Sequence, residues 1–381
     1  MSVALILFWM SLFYTIYITA LYPLFINWLA RVRPNPVRRV PQTPTVSVIL
    51  ATHNGAAFLK DKLDSILALD YPNERVEVIV VNDGSTDATA QIAESYAPIK
   101  LIHSPKLGKA SALNQGIAAA RNEVLVLTDV RQRLAPHSLR YLMENLADPR
   151  VGAVSAELQI MPGSSNEEAD TGAYWKYERW IRLNLSSIDS IFGATGSYYA
   201  IRRELAIPIP PNTLVDDMYL PLNAFFKGYR LVVDQRAKMY DYPTNLSTEF
   251  GRKVRTLAGN YQILAAYPQL IGPRNRLLLH FLSYKLGRLL LPFALIVCAV
   301  SSLCIGGGIA VLSASGQAAV YLAAIFDPRI PPKIPLKRLT SPIRSFLTMM
   351  LATLCAISIW FVPAERLWKT THVSSTGLST P

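Results

Sequence analysis

The chain has 381 residues, 51% of them hydrophobic and only 17% charged, with a formal net charge of +12. That balance is too apolar for a disordered or collagen-like chain and too poor in charge for an ordinary soluble protein. The three cysteines, Cys298, Cys304 and Cys355, all fall inside apolar runs, so they read as small hydrophobes rather than a disulfide scaffold.

Residues 1–30 contain no Asp, Glu, Lys or Arg, and Arg31, Arg33, Arg38 and Arg39 follow with no acid among them. The apolar run is longer than the core of a signal peptide, and no basic residue precedes it. It predicts a retained transmembrane anchor over 1–30, with its N-terminus outside and the following residues in the cytoplasm. Pro34, Pro36, Pro41 and Pro44 make 31–44 a basic, extended linker, because each proline removes a donor and biases its predecessor away from helix. Arg329, Lys333, Lys337, Arg338 and Arg344 form a second cluster with only Asp327 against them. Positive charge placed beside apolar segments is matched to the lipid bilayer, and nucleic acid is not the expected partner.

From Thr45 the pattern changes. Val46–Leu50 (VSVIL), Val76–Val81, Leu101–Ile102 and Val124–Thr128 (VLVLT) read as buried parallel strands. Between them Phe58–Leu69, Thr86–Tyr96 and Lys109–Ala120 carry helical spacing. Alternating strands and helices predict an α/β fold of the doubly wound, Rossmann-like kind, whose ligand sits at the carboxyl ends of the strands.

The residues just past those strands are polar: Thr52, His53, Asn54 and Gly55 after the first, Asn82, Asp83, Gly84 and Ser85 after the second, Asp129 after the fourth. Each alone is an ordinary turn or helix cap. Three strand ends delivering them to one edge point instead to a ligand. The first turn has one glycine where a dinucleotide fingerprint needs three, and Gly108-Lys109-Ala110 lacks the hydroxyl residue of a P-loop. A carboxylate such as Asp83 can hydrogen-bond a ribose or base edge, Lys109 near a helix start can meet phosphate, and Asp129 can hold a hard divalent ion bridging phosphates. A nucleotide diphosphate with a metal fits that set.

Further on, Gly193-Ala194-Thr195-Gly196-Ser197-Tyr198-Tyr199 places small and aromatic residues before a strand ending near Arg202 and Arg203. This is either a glycine-rich edge strand or a surface where substrate approaches the backbone and a sugar stacks. Leu214-Val215-Asp216-Asp217-Met218 sets two adjacent carboxylates at a helix start, a capping feature or the source of a general base. Thr248–Leu264 reads as an amphipathic helix whose Arg252, Lys253 and Arg255 meet phosphates or lipid headgroups.

The C-terminal region, 271–381, opens with the uncharged run Leu289–Phe326. As one helix it would reach roughly 57 Å, about twice the hydrocarbon thickness, so it predicts two crossings, 289–305 and 309–326, turning at Gly306, Gly307 and Gly308. Pro328, Pro331, Pro332 and Pro335 with the second basic cluster then form a cytoplasmic loop, and 346–362 a last crossing that leaves the tail from Ala364, with Arg366 and Lys369, outside.

These residues together resemble a membrane-bound family 2 glycosyltransferase of the GT-A fold, the inverting group that includes cellulose, hyaluronan and poly-N-acetylglucosamine synthases. The resemblance covers essentially the whole chain and implies a cytoplasmic nucleotide-sugar domain over 45–270 in a multi-pass protein of the cell membrane. It places Thr52 and Asp83 on the uridine of a UDP-sugar, Lys109 (in Gly108 to Asn114, GKASALN) on the nucleotide, Asp129 on an Mg²⁺ or Mn²⁺ ion and the diphosphate, Gly196 and Ser197 in the acceptor segment, and Asp217, beside Asp216, as catalytic base. It implies transfer to a glycan or lipid-linked acceptor in exopolysaccharide or cell-surface glycan synthesis, and leaves export or accessory subunits open. Two departures stand out. Arg131 replaces the second acid of the family's D-x-D, thinning the metal site and offering an arginine to the phosphates. The Q-x-x-R-W motif associated with polymer synthesis is here Arg252-Lys253-Val254-Arg255-Thr256, keeping the arginine at Arg255 but neither Gln nor Trp, so single-sugar transfer stands beside polymerisation. The intact Asp83, Asp129 and Asp217 argue against a silent nucleotide-binding scaffold, and about four crossings without an obvious intramembrane ionisable residue argue against a transporter.

Overall fold

The computed structural model describes residues 2–161, 168–242, 246–331 and 334–367. Pro332, Lys333 and Lys369, placed above in the second basic loop and the tail, lie outside the described residues. The chain forms two compact units, one of residues 1–32, 164–184 and 244–371, the other of 33–163, 185–243 and 372–381.

The second unit is built on an eight-stranded sheet. Its strands are β1 (Val46–Thr52), β2 (Val76–Asp83), β3 (Ile99–Ser104), β4 (Val124–Thr128), β5 (Arg133–Leu134), β6 (Val151–Ile160), β7 (Tyr198–Arg202) and β8 (Arg230–Asp241), in the order β3-β2-β1-β4-β7-β6-β8-β5. The four expected strands pair in parallel, β1 between β2 and β4; β4 matches its predicted run and the other three extend two to four residues beyond theirs. Val46, Val48, Ile49 and Leu50 are buried on both faces of β1, as the unbroken apolar run requires. The sheet is nonetheless mixed: β7 runs antiparallel to both β4 and β6, and β6 and β8 extend the sheet past it.

The helix Ala56–Leu67 turns Leu59, Leu63 and Ile66 into the core of the unit beside Leu139, Leu142 and Met143 of the helix Ser138–Leu146. Lys62 sits on the same buried face. The proline-rich segment is not a free tether: residues 33–44 belong to this unit, the backbone N–H of Arg38 donates to Asp148 at 3.1 Å, and Arg39 pairs with Asp234 and donates to Asn145. Arg39 is therefore held by protein carboxylate where lipid was expected.

Among the described residues of the first unit, four helices are long and apolar enough to cross a membrane: Val3–Val32, Leu278–Cys304, Gly307–Arg329 and Lys337–Trp360. Gly306 and Gly307, both at positive φ, make the turn between the middle two. The second helix begins eleven residues ahead of the uncharged run, because Lys285 and Arg288 ride within it, Arg288 on Glu178 in a half-buried ion pair with Tyr284 donating to the same carboxylate. The first and second helices are joined along their length by Tyr14 donating to the Gly287 carbonyl (3.0 Å), Tyr17 bonded to Ser283 (2.7 Å) and Tyr22 to His280 (3.3 Å). Asp327, fully buried, collects Lys337, Thr340, Ser341 and Arg344, so the short loop to the fourth helix is tied at one carboxylate. Residues 246–266, counted in the sequence with the sugar-nucleotide domain, form a helix of this unit.

Candidate active site

The strand order 3-2-1-4 puts the topological switch point between β1 and β4, and the crevice outside their carboxyl ends is where such sheets bind ligands. Thr52 ends β1, Asp83 ends β2, and Asp129 follows β4. An antiparallel strand adds to that edge by its beginning rather than its end. β7 does so: Thr128 pairs with Tyr198, the Asp129 N–H donates to the Ser197 carbonyl at 3.2 Å, and the Thr128 hydroxyl donates to the same oxygen at 2.7 Å. Gly196 and Ser197 thereby meet Asp129, although about seventy residues of chain separate them.

The acid pair opens the helix Asp216–Phe226. The Ala194 N–H donates to the Asp217 carbonyl at 2.8 Å, and a Cβ on Gly193 would collide with Met218, so the glycine loop wraps the helix start. The loop is itself pinned to β6, where the Thr195 N–H donates to Ser155 Oγ at 2.9 Å.

Lys109 closes the constellation. Its Nζ lies 2.9 Å from Asp129 Oδ1 and 3.0 Å from Asp216 Oδ1. Burial alone would lower this ammonium's pKa, but Asp129, Asp216 and more weakly Asp217 outweigh it and hold it above the ordinary lysine range. One ammonium thus bridges the carboxylates of Asp129 and Asp216.

Asp83 braces the turn ahead of Lys109. It is buried, and its two oxygens accept the backbone N–H groups of Leu107 (2.8 Å) and Gly108 (2.9 Å), which fixes the turn that delivers Lys109. A Cβ on Gly84, at φ +64°, would lie 2.8 Å from the Lys106 nitrogen, so that turn and the end of β2 are in contact. The β1 and β2 ends are cross-braced: Asn54 Oδ1 accepts from the Thr86 N–H at 2.8 Å and the Asn54 N–H donates to Ser85 at 2.9 Å. Thr52 Oγ1 is buried against Gly55 and has no hydrogen-bond partner among the described residues, a hydroxyl available to a ligand.

Arg131 is held by a carboxylate of the same unit. It forms an ion pair with Asp241 of β8, and Gln132 donates to the same carboxylate at 2.9 Å, so its charge is neutralised within the unit. Arg252 and Arg255 lie on the helix Leu246–Ala266 of the other unit, where Arg252 pairs with Glu249 at 3.2 Å. Tyr198 and Tyr199 are fully buried in β7, which removes them as stacking surfaces.

No group of three His, Cys, Asp or Glu side chains converges among the described residues. Asp129, with its side chain 36% exposed, fits a hard divalent ion that draws its remaining ligands from phosphate oxygens and water, and does not fit an ion caged by protein alone.

One buried side chain at the site escaped the sequence reading. Lys62 donates to Thr128 Oγ1 at 2.6 Å and to the Gln132 carbonyl at 2.8 Å, behind the Asp129 turn, and burial pushes its amine down to about 7 against the pull of Asp129 and Asp241. Its signal was available, since Lys62 shares the i, i+3, i+4, i+7 face of Leu59, Leu63 and Ile66.

Residues 47–208 match the family described as glycosyl transferase family 2. Over 239 residues the chain is 26% identical to a poly-β-1,6-N-acetyl-D-glucosamine synthase of Staphylococcus aureus, covering 60% of this chain and 58% of that protein. Over 247 residues it is 25% identical to a probable glycosyltransferase, YdaM, of Bacillus subtilis, covering 59% and 57%. The chain thus spans a little over half the length of the curated relatives it matches. Among solved structures it is similar to the mannosyltransferase PcManGT of Pyrobaculum calidifontis, determined with GDP-mannose and Mn²⁺, at a TM-score of 0.68 and 24% identity over 90% of this chain and 98% of that one. Residues 47–208 thus match a family 2 glycosyl transferase domain, and the chain shares its fold with a solved glycosyltransferase.

Proposed function

We propose that the protein is a membrane-bound, inverting transferase that moves a sugar from a nucleotide diphosphate donor, a UDP-sugar by the matched motifs, to a glycan or lipid-linked acceptor on the cytoplasmic side. The observation that carries this reading is the meeting of Lys109, Asp129 and Asp216 at the sheet's switch point, with Asp217 held against the glycine loop.

In this mechanism Thr52 offers its unpartnered hydroxyl to the nucleoside, and the Asp83-braced turn presents Lys109 to the diphosphate. Asp217 takes the proton from the acceptor hydroxyl as that oxygen attacks the anomeric carbon and the bond to the diphosphate breaks. A single displacement inverts the anomeric centre. Asp129 would hold an Mg²⁺ or Mn²⁺ ion together with donor phosphate oxygens, and such an ion supplies charge neutralisation for the departing diphosphate. Lys109 adds a second positive charge at the same place. The altered Arg252 to Thr256 motif favours single-sugar transfer over polymer synthesis.

The test is incubation of the full chain in detergent or lipid with UDP-sugars and GDP-mannose, with Mg²⁺ or Mn²⁺, recording nucleotide release and product size. Release with one sugar added supports a non-processive transferase. A long product establishes a polymer synthase, and no release with any donor and lipid or glycan acceptor overturns the reading.

A further inference from the structure

We propose that Tyr199 is a positioning residue for sugar transfer, acting through Asp216; the proposal rests on the reading of Asp216 and Asp217 as the catalytic acid pair.

Tyr199 is the second residue of β7, opposite Leu127 of β4 and Ser155 of β6. Directly opposed residues share a sheet face, so its ring stands on the face that Asp129 continues two residues beyond Leu127. The residue is fully buried, yet its hydroxyl has no hydrogen-bond partner among the described residues. Folded proteins leave few buried hydroxyls unsatisfied, and those that persist call for a reason. Burial first, and then the charges of Asp216, Asp217 and Asp129, push its ionisation far above the usual tyrosine range. It is therefore a permanent O–H donor in the field of three carboxylates.

Asp216 gives that donor its use. The Asp216 carboxylate is buried and held by Lys109, but Lys109 is shared with Asp129. A diphosphate entering the crevice competes for the same ammonium, and a buried carboxylate that loses its cation needs another donor. The Tyr199 hydroxyl is buried, uncommitted and within electrostatic reach of that carboxylate. By taking over Asp216, it keeps the first turn of the helix Asp216–Phe226 fixed, and with it the neighbouring Asp217, while Lys109 serves the donor.

The variant Tyr199→Phe removes only the oxygen. In the full chain in detergent, with UDP-GlcNAc or GDP-mannose, whichever turns over, kcat is expected to fall about tenfold, the loss typical of one hydrogen bond to a charged group. Donor KM and nucleotide affinity should stay unchanged, and the ligand-free Tm should be equal or higher, because the hydroxyl makes no bond there to lose. In an Asp216→Asn background the same change should alter the residual rate by less than about twofold, since the charge to be held is gone. An unchanged kcat, a raised KM with unchanged kcat, a lowered Tm as the sole effect, or an undiminished Tyr199→Phe effect in Asp216→Asn would each overturn the proposal. If Asp216→Asn and Asp217→Asn themselves retain the normal rate, it is the assignment of the acid pair that fails.

Discussion

Gly196 stands directly against the carboxylate of Asp217: a Cβ built on the glycine would lie 2.9 Å from Asp217 Oδ2. The glycine is needed for closeness rather than for an unusual backbone angle. In Gly196→Ala the added methyl has to displace the carboxylate, and misplacing a reacting group by about 1 Å can cost ~10²-fold in rate. We expect kcat to fall by one to two orders of magnitude with nucleotide affinity kept, read by steady-state nucleotide release beside a direct binding measurement.

Asp217→Asn tests the base itself. The amide is nearly isosteric but accepts no proton, so the rate should fall by at least ~10²-fold. Isothermal titration with the free nucleotide diphosphate should show little change, and a rate near normal would remove Asp217 from that role.

Asp83→Ala acts one step further back. It leaves two backbone N–H groups, on Leu107 and Gly108, without their acceptor, at about 1–3 kcal/mol each when buried. The turn before Lys109 loosens, so donor KM should rise more than kcat falls, with a lower Tm. Asp83→Asn keeps one acceptor oxygen and should lie between the two.

Lys62 sets a pH dependence whose sign is fixed by its environment. Burial lowers its amine to about 7 from the ordinary 10.5, so between those values the folded protein binds fewer protons than the unfolded chain. Its contribution to stability is therefore unfavourable below about pH 7 and is relieved as the pH rises towards 10.5, with a slope of at most about 1.4 kcal/mol per pH unit. Thermal melts of wild type and Lys62→Met across pH 6 to 10 should differ in slope in that window, the variant being flatter. Parallel curves would show that Lys62 is not the group responsible.

The parallel half of the sheet was legible because its strands are short apolar β-branched runs followed by polar turns, a pattern that buried strands and ligand-bearing edges both impose. The mixed half was not. β6 and β8 carry Ser155, Glu157, Asp234, Gln235 and Arg236 among their apolar residues, so they do not stand out as hydrophobic runs, and the antiparallel insertion of β7 is a long-range choice with no local mark. At the site, Thr52, Lys109, Asp129, Gly196, Ser197, Asp216 and Asp217 come to one edge as their motifs imply. The bonds they make were hidden, since Asp83 caps a turn 24 residues on and Arg131 pairs with Asp241 across 110 residues. Sequence spacing marks which residues reach an edge. It does not say which of them neutralise each other there.

The three tyrosines of the first helix bear on how this protein can be handled. Tyr14, Tyr17 and Tyr22 bond to Gly287, Ser283 and His280, successive turns of the next apolar helix. Trimming residues 1–32 to obtain a more soluble protein would take away three polar partners from a surface otherwise suited to lipid, and leave a serine, a histidine and a backbone carbonyl facing hydrocarbon. The truncated protein should extract poorly and aggregate, whereas purification with the first helix in place keeps those groups satisfied.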